Sequence, residues 1–352
     1  MARRKSGRRR TGALAGTLAG TLAGTASAPV RSALLLMALL AVSVADVDAA
    51  PARGRHHHVA AEPRYIPPYA DIVVDDSSGQ VLHEANPDEP RHPASLTKIM
   101  TLYLLFEQLE SGALTLDMPL PVSPRAAQQH PTKLGLKAND AITVEDAIGG
   151  IVTRSANDAA VVVSEAIGGS EDEFARLMTA KAHELGMANT TYVNASGLPA
   201  DEQITTARDQ AILAHAIRER FPRYFVVFST LSFHYHGADI RNHNSLLGRV
   251  EGVDGIKTGY TDASGYNLVS SVHRNDKYLV AVVLGETSNS ARDARMRTLI
   301  EDCMRTASAP HTAPTISQAP GRAGAGAAST GPTRGFAPAS AGSRPVQGNF
   351  EE

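Results

Sequence analysis

The sequence holds one cysteine and no tryptophan in 352 residues. A lone Cys303 excludes a disulfide framework, so the fold has to be held by a packed core. No Gly-x-x-x-x-Gly-Lys phosphate loop is present, since Ile256 separates Gly255 from Lys257. No His-Glu-x-x-His occurs either, which sets aside zinc peptidases of that type. An excess of charge of either sign is also lacking, with 34 Lys and Arg against 36 Asp and Glu. The net charge of −2 carries no electrostatic footprint for nucleic acid. Neither a metal nor a cofactor is expected: His56-His57-His58 reads as a solvated linker, and His234 and His236 as structural side chains on a strand.

What is present at the N-terminus is an export pattern. Seven basic residues, the last being Arg31, precede the apolar run Ala33 to Ala45, and Val47-Asp48-Ala49 offers a cleavage site. The run is too short to remain as a membrane span. Residues 1–49 are therefore expected to be a signal peptide, and the product an exported, periplasmic or cell-wall protein with no evident membrane anchor. Its removal takes away seven positive and two negative charges, moving the net charge from −2 to −7.

Residues 50–66 read as a linker, 67–308 as one folded domain and 309–352 as a disordered tail, 23 of whose 44 residues are Ala, Gly or Pro. Within the domain, Tyr69 to Val74 and Gln80 to Glu84 flank Asp75-Asp76-Ser77-Ser78-Gly79 as a hairpin. A helix follows Pro93, with Ile99, Leu102, Phe106 and Leu109 at helical spacing and Gly112 as its stop. Prolines 119, 121, 124 and 131 mark a loop-rich section. Two helices over 143–167 break at Arg154-Ser155-Ala156-Asn157, and Glu171 to Leu185 and Ile204 to Arg220 predict two more. Tyr224 to Thr230, Ser232 to His236, Gly252 to Tyr260, Tyr266 to Val272 and Tyr278 to Leu284 are strand-like, and Ala291 to Arg305 is a closing helix. Strands at both ends with helices between them predict an α+β domain whose termini complete one antiparallel sheet around one core.

Three short motifs stand out: Ser95-Leu96-Thr97-Lys98, Ser155-Ala156-Asn157 and Lys257-Thr258-Gly259, separated by 60 and 102 residues. Each alone has an ordinary reading. Ser-x-x-Lys can be a helix cap and a surface lysine, Ser155 and Asn157 are good capping residues, and Lys-Thr-Gly suits an edge strand. In order, they are the signature of the penicillin-interacting serine enzymes. Ser95 is then the nucleophile and Lys98 its base, provided burial and a second cation, Lys257, displace the lysine proton. Ser155 is placed to relay a proton to the departing amine, and Asn157 to bond a peptide backbone.

The surrounding segments, including Asn194-Ala-Ser-Gly-Leu198, Thr206-Ala-Arg-Asp209, Val253-Asp-Gly-Ile-Lys-Thr-Gly-Tyr-Thr261 and Gly265-Tyr-Asn-Leu268, resemble the low-molecular-mass penicillin-binding proteins, the serine D-Ala-D-Ala carboxypeptidases. The resemblance covers roughly 67–305. It implies a β-lactamase/transpeptidase-like fold, an antiparallel sheet flanked by helices plus a mainly helical subdomain, with the active site between them. It implies removal of the terminal D-Ala from peptidoglycan stem peptides through an acyl-enzyme, and covalent inhibition by β-lactams. By the same resemblance the N–H groups of Ser95 and Tyr260 form the oxyanion hole, Thr258 faces the substrate carboxylate and Gly259 lets substrate lie against the strand. Many members continue into a β-rich second domain and an amphipathic anchor; neither is expected here.

The pattern departs from the family at one position. His243, in Asn242-His243-Asn244-Ser245-Leu246-Leu247, stands where an Arg often helps hold the carboxylate. Thr258 and Lys257 are expected to take more of that task. The substitution keeps D,D-endopeptidase cleavage of cross-links open as an alternative. A class A β-lactamase is disfavoured by the lack of a Glu-x-x-x-Asn arrangement between Ser155 and Lys257. A non-catalytic wall-binding protein is disfavoured by the intact motifs.

Overall fold

The computed structural model describes residues 65–308. The expected signal peptide, the linker up to residue 64 with its three histidines, and the tail lie outside the described residues. The first hairpin joins β1 (Ala70–Asp75) to β2 (Gln80–Ala85). Helix α1 (Thr97–Ser111) ends where Gly112 turns left-handed at φ +77°. The proline-rich section is more ordered than its composition suggests. It forms β3 (Pro119–Pro121), which pairs with β4 (Ala141–Thr143), and a short helix α2 (Pro124–Ala127) capped by Ser123.

Helix α3 (Val144–Gly149) runs into a wide turn, Gly150–Arg154, before α4 (Asn157–Gly168). Helix α5 (Glu171–Glu184) begins at the Ser170 cap. Helix α6 (Ala207–Arg220) starts three residues later than expected, because Thr206 caps it and Thr205 is drawn into a β-bridge with Arg91.

The expected strand from Tyr224 to Thr230 is not one. Pro222 opens a short helix, α7 (Pro222–Phe225), which tightens into a 3₁₀ turn over Val226–Ser229. Phe225 and Phe228 are both buried while Val226 is 65% exposed, so the apolar spacing is three, not two. The following strand, β5 (Ser232–Tyr235), pairs with one that was not anticipated, β6 (Ala238–Arg241). The chain then completes β7 (Val253–Thr261), β8 (Gly265–Arg274), β9 (Lys277–Glu286) and α8 (Asn289–Met304).

One five-stranded sheet, ordered β2-β1-β9-β8-β7 and antiparallel throughout, carries the domain. The expected joining of both ends in one sheet is met by β1 pairing β9. The expected single core is not. Val280, Val282 and Leu284 pack on the side of α1 and the other central helices, whereas Leu279, Ala281 and Val283 pack with Met296, Leu299 and Ile300 of α8. Strand alternation sorts one uninterrupted apolar run into two cores, one on each face. This leaves β7 at the sheet edge beside the N-terminal mouth of α1. Among the described residues no helix is long and apolar enough to cross a membrane.

Candidate active site

Ser95 sits in a 3₁₀ turn (Ala94–Leu96) leading into α1, and not in the helix itself. Ala94 is held at φ +49°, a conformation that L-residues avoid. Two glycines fit against this turn. A Cβ on Gly197, at φ +83°, would lie 1.8 Å from the Ala94 carbonyl oxygen; one on Gly259 would lie 3.0 Å from the Ser95 nitrogen. The turn is thus clamped between the 194–198 loop and the edge strand β7. Asn267 of β8 adds a third restraint: its amide donates to the carbonyls of His92 and Pro93.

Lys98 enters the first turn of α1 fully buried. Its Nζ lies 3.2 Å from Ser95 Oγ, 2.7 Å from Asn157 Oδ1 and in short contact with the Ser196 carbonyl. Asn157 is oriented by its own amide nitrogen, which donates to the His130 carbonyl at 2.8 Å. The carbonyl of Ser196 and Oδ1 of Asn157 are acceptors only. They occupy two N–H groups, which is all a neutral amine has, and leave its lone pair for the Ser95 hydroxyl. Burial, followed by the charge of Lys257, pushes the Lys98 pKa well below the usual lysine value; Asp158 and Glu171 oppose this.

Ser155 adopts a left-handed conformation (φ +58°) at the break before α4 and lines the cleft. Its buried hydroxyl has no hydrogen-bond partner among the described residues. Asp158, the second residue of α4, accepts from the backbone N–H groups of Leu134, Gly135 and Leu136 and so ties the 134–136 segment to the Ser155 turn.

On the far side, Lys257 lies buried in β7, with Nζ 2.9 Å from the Thr258 carbonyl. Burial and the nearby Arg292 bring its pKa down to about 7. His243 is exposed at the cleft, yet desolvation and the cations Lys257, Arg154, Lys98 and Arg292 push its imidazole down to about 4. The ring is therefore neutral at pH 7. Arg292, from the first turn of α8, reaches the same cleft, its Nε and Nη2 held by Asp293. The cleft encloses about 540 Å³, with Ser95, Ser155, Asn157, His243, Thr258 and Tyr260 on its walls. Lys98 and Lys257 lie beneath that surface. All nine residues singled out in the sequence converge here.

Sequence reasoning missed Arg292, the Ser196 carbonyl and the clamps Gly197 and Asn267. The last three fall within segments that carry the family resemblance. Arg292 gave no signal, since only the packing of α8 brings it near.

The model of the D-alanyl-D-alanine carboxypeptidase family (peptidase S11) matches residues 57–288. The chain belongs to this family. Among family relatives, D-alanyl-D-alanine carboxypeptidase DacC of Escherichia coli is 37% identical over 228 residues, covering 63% of this chain and 57% of that protein. The chain thus spans between 57% and 64% of the length of the first curated relatives it matches. The crystal structure of penicillin-binding protein 5 from Haemophilus influenzae superposes with a TM-score of 0.66 at 30% identity, over 69% of this chain and 72% of that one. A penicillin-binding protein of Listeria monocytogenes, in its cefotaxime-bound form, superposes with a TM-score of 0.61 at 30% identity, over 67% of this chain and 97% of that one. The β-lactamase/transpeptidase-like fold is that of the family.

Proposed function

We propose that this protein is a serine D,D-carboxypeptidase that removes the terminal D-Ala from peptidoglycan stem peptides. The observation that carries the reading is the buried Lys98, placed 3.2 Å from Ser95 with its other two partners restricted to accepting. Lys98 takes the Ser95 proton as Oγ attacks the carbonyl of the penultimate D-Ala. The N–H groups of Ser95 and Tyr260 hold the oxyanion, and donors so preorganised contribute about 3–4 kcal/mol each. Ser155, whose hydroxyl lacks a partner among the described residues, relays the proton held by Lys98 to the leaving D-Ala nitrogen, which leaves Lys98 neutral again. Water then hydrolyses the ester, again with Lys98 as base. Asn157 holds Lys98 in place and retains one amide N–H for the substrate backbone.

The terminal carboxylate meets Thr258 and Arg292, with the charge of Lys257 beneath them. A neutral His243 supplies no charge to it, but Arg292 restores a guanidinium to that end of the cleft. Recognition of a free carboxylate favours terminal trimming over cross-link cleavage. β-Lactams, which carry a carboxylate beside a strained amide, acylate Ser95. The N-terminal basic and apolar segments support export to the cell wall.

Intact-mass spectrometry with a penicillin tests the nucleophile. One adduct per chain is expected, absent in Ser95→Ala. Incubation with pentapeptide and with cross-linked dimer, read by released D-Ala against split dimer, separates the two peptidase activities. An unmodified wild type after long exposure, with no D-Ala released, overturns the assignment.

A further inference from the structure

Behind Lys98 lies a second buried charge that takes no part in the acyl-transfer steps. Glu171 is the first residue of α5, and its side chain is only 4% exposed. A helix N-terminus favours a carboxylate, but a buried one needs partners for both oxygens. Both are satisfied. Oε2 accepts from Nε and Nη2 of Arg125 at 3.0 and 2.6 Å, and Oε1 accepts from the Ala195 N–H at 3.1 Å. Arg125 comes from α2 and is 60% exposed, so the ion pair runs from the surface to the interior.

The interior end reaches the catalytic lysine through one stretch of backbone. The Ala195 N–H goes to Glu171, and the Ala195 carbonyl accepts from Thr101 Oγ1 at 2.7 Å. The next carbonyl, that of Ser196, is the one Lys98 contacts. Thr101 and Lys98 lie three apart on α1 and share a face. Withdrawing the Glu171 oxygen leaves a buried N–H without its acceptor, one residue from the carbonyl that orients Lys98.

The charges that face Lys98 are Lys257 from β7, Asp158 from α4 and Glu171 from α5. The two carboxylates favour the protonated lysine. Asp158 is held by backbone N–H groups, whereas Glu171 carries a guanidinium that offsets its field. Besides Glu171, Arg125 faces Asp172 and Glu165.

We propose that Glu171, with Arg125 as its counter-ion, is a positioning residue: it holds the Ser196 carbonyl against Lys98, and the ion pair governs from the surface whether Lys98 is the neutral base that Ser95 needs. Without the guanidinium, the buried carboxylate holds a proton on Lys98; with the carboxylate neutralised, the lysine releases it more readily. The inference rests on the carboxypeptidase reading, in which Lys98 is the base, and deepens it.

The test is the acid limb of Ser95 acylation by penicillin G, followed by stopped flow across pH in Arg125→Gln, Glu171→Gln and the double variant. Gln at position 171 keeps an acceptor for the Ala195 N–H. Arg125→Gln is expected to move the limb to higher pH and Glu171→Gln to lower pH, each by about 0.5–1 unit, less than the 1–3 units of a charge in direct contact. The double variant should fall with Glu171→Gln, because the guanidinium acts through the carboxylate it covers. A purely structural role predicts slower acylation at every pH in both single variants, with the limb in place. An unshifted limb in Arg125→Gln, or shifts of the same sign in both, overturns the proposal. Should Glu171→Gln fail to fold by circular dichroism, the exposed Arg125→Gln decides alone. A wild type that penicillin does not acylate overturns the assignment of Ser95 and Lys98, and the proposal with it.

Discussion

Lys98 and Asn157 are joined across 59 residues of chain by a 2.7 Å hydrogen bond in which the amide oxygen can only accept. The bond fixes where the lysine's hydrogens point and, with the Ser196 carbonyl, turns the lone pair of a neutral amine toward Ser95. A carboxylate in the same place would hold the proton on Lys98. Asn157→Asp is therefore expected to slow acylation by penicillin by 10²–10⁴, the usual cost of losing a general base. Its acid limb should also move to higher pH. Stopped-flow rates across pH check both; an unshifted limb would remove Asn157 from this role.

The second prediction concerns pH. Lys257, with a pKa brought down to about 7, is charged below that pH and neutral above it. For a peptide with a free carboxylate, kcat/KM should decline above about pH 7, because that constant reports the free enzyme. A bound carboxylate stabilises the charged form, so the alkaline limb of kcat should lie higher. The C-terminal amide of the same peptide should lack the limb near pH 7. Coincident alkaline limbs for acid and amide would count against the Lys257 charge as a contributor to carboxylate binding.

Stability should move in the opposite direction to activity. Between pH 7 and the ordinary lysine value of 10.5, the unfolded chain binds a proton at Lys257 that the folded protein does not. Folding is thus penalised in full below pH 7, and the penalty fades as pH rises to 10.5. Replacing a buried charge by an apolar group of similar volume stabilises by about 1–4 kcal/mol. Lys257→Met should accordingly raise the melting temperature at pH 6, and by less at pH 10, while impairing turnover. Calorimetry at the two pH values decides; a lower melting temperature at pH 6 would contradict it.

Arg292 offers a sharper separation of binding from chemistry. Arg292→Gln is expected to raise KM for the free-acid peptide by at least about tenfold, as loss of a charge-assisted contact does. Its effect on the amide should be small. Steady-state kinetics on the pair provides the comparison, and equal losses on both would indicate a structural effect through Asp293.

Gly197→Ala probes the clamp. A methyl group 1.8 Å from the Ala94 carbonyl cannot be accommodated without moving the turn that carries Ser95, and the left-handed φ adds backbone strain. Acylation should fall at least tenfold with the global fold retained by circular dichroism. A wild-type acylation rate would show that the turn does not need this support.

Much of this site was legible in the sequence because its chemistry is carried by short motifs: Ser95 with Lys98 within one helical turn, Ser155 with Asn157 at a helix break, and Lys257 to Tyr260 on one strand. The fold was legible where periodicity and turn residues agreed, as at Gly112 and in the β8–β9 hairpin. It failed at Tyr224–Thr230, where Phe-Val-Val-Phe has strand composition but Pro222 and the packing of Phe225 and Phe228 impose a helical turn. Arg292 could not be read, because nothing local marks one arginine in an arginine-rich helix as facing a cleft. The two cores were hidden for a similar reason: an unbroken apolar strand looks alike whether one face or both are covered.

The pairing of β1 with β9 has a consequence for how the chain reaches this state. Ala70 and Leu284 are partners although 214 residues separate them. The N-terminal hairpin has no sheet to join until nearly the whole domain has been synthesised. Closing so long a loop is an entropic cost met before any contact rewards it, and it slows folding. The sheet of a newly made chain thus stays incomplete until its last strand is available, a delay that would suit a protein threaded through a membrane pore before it folds.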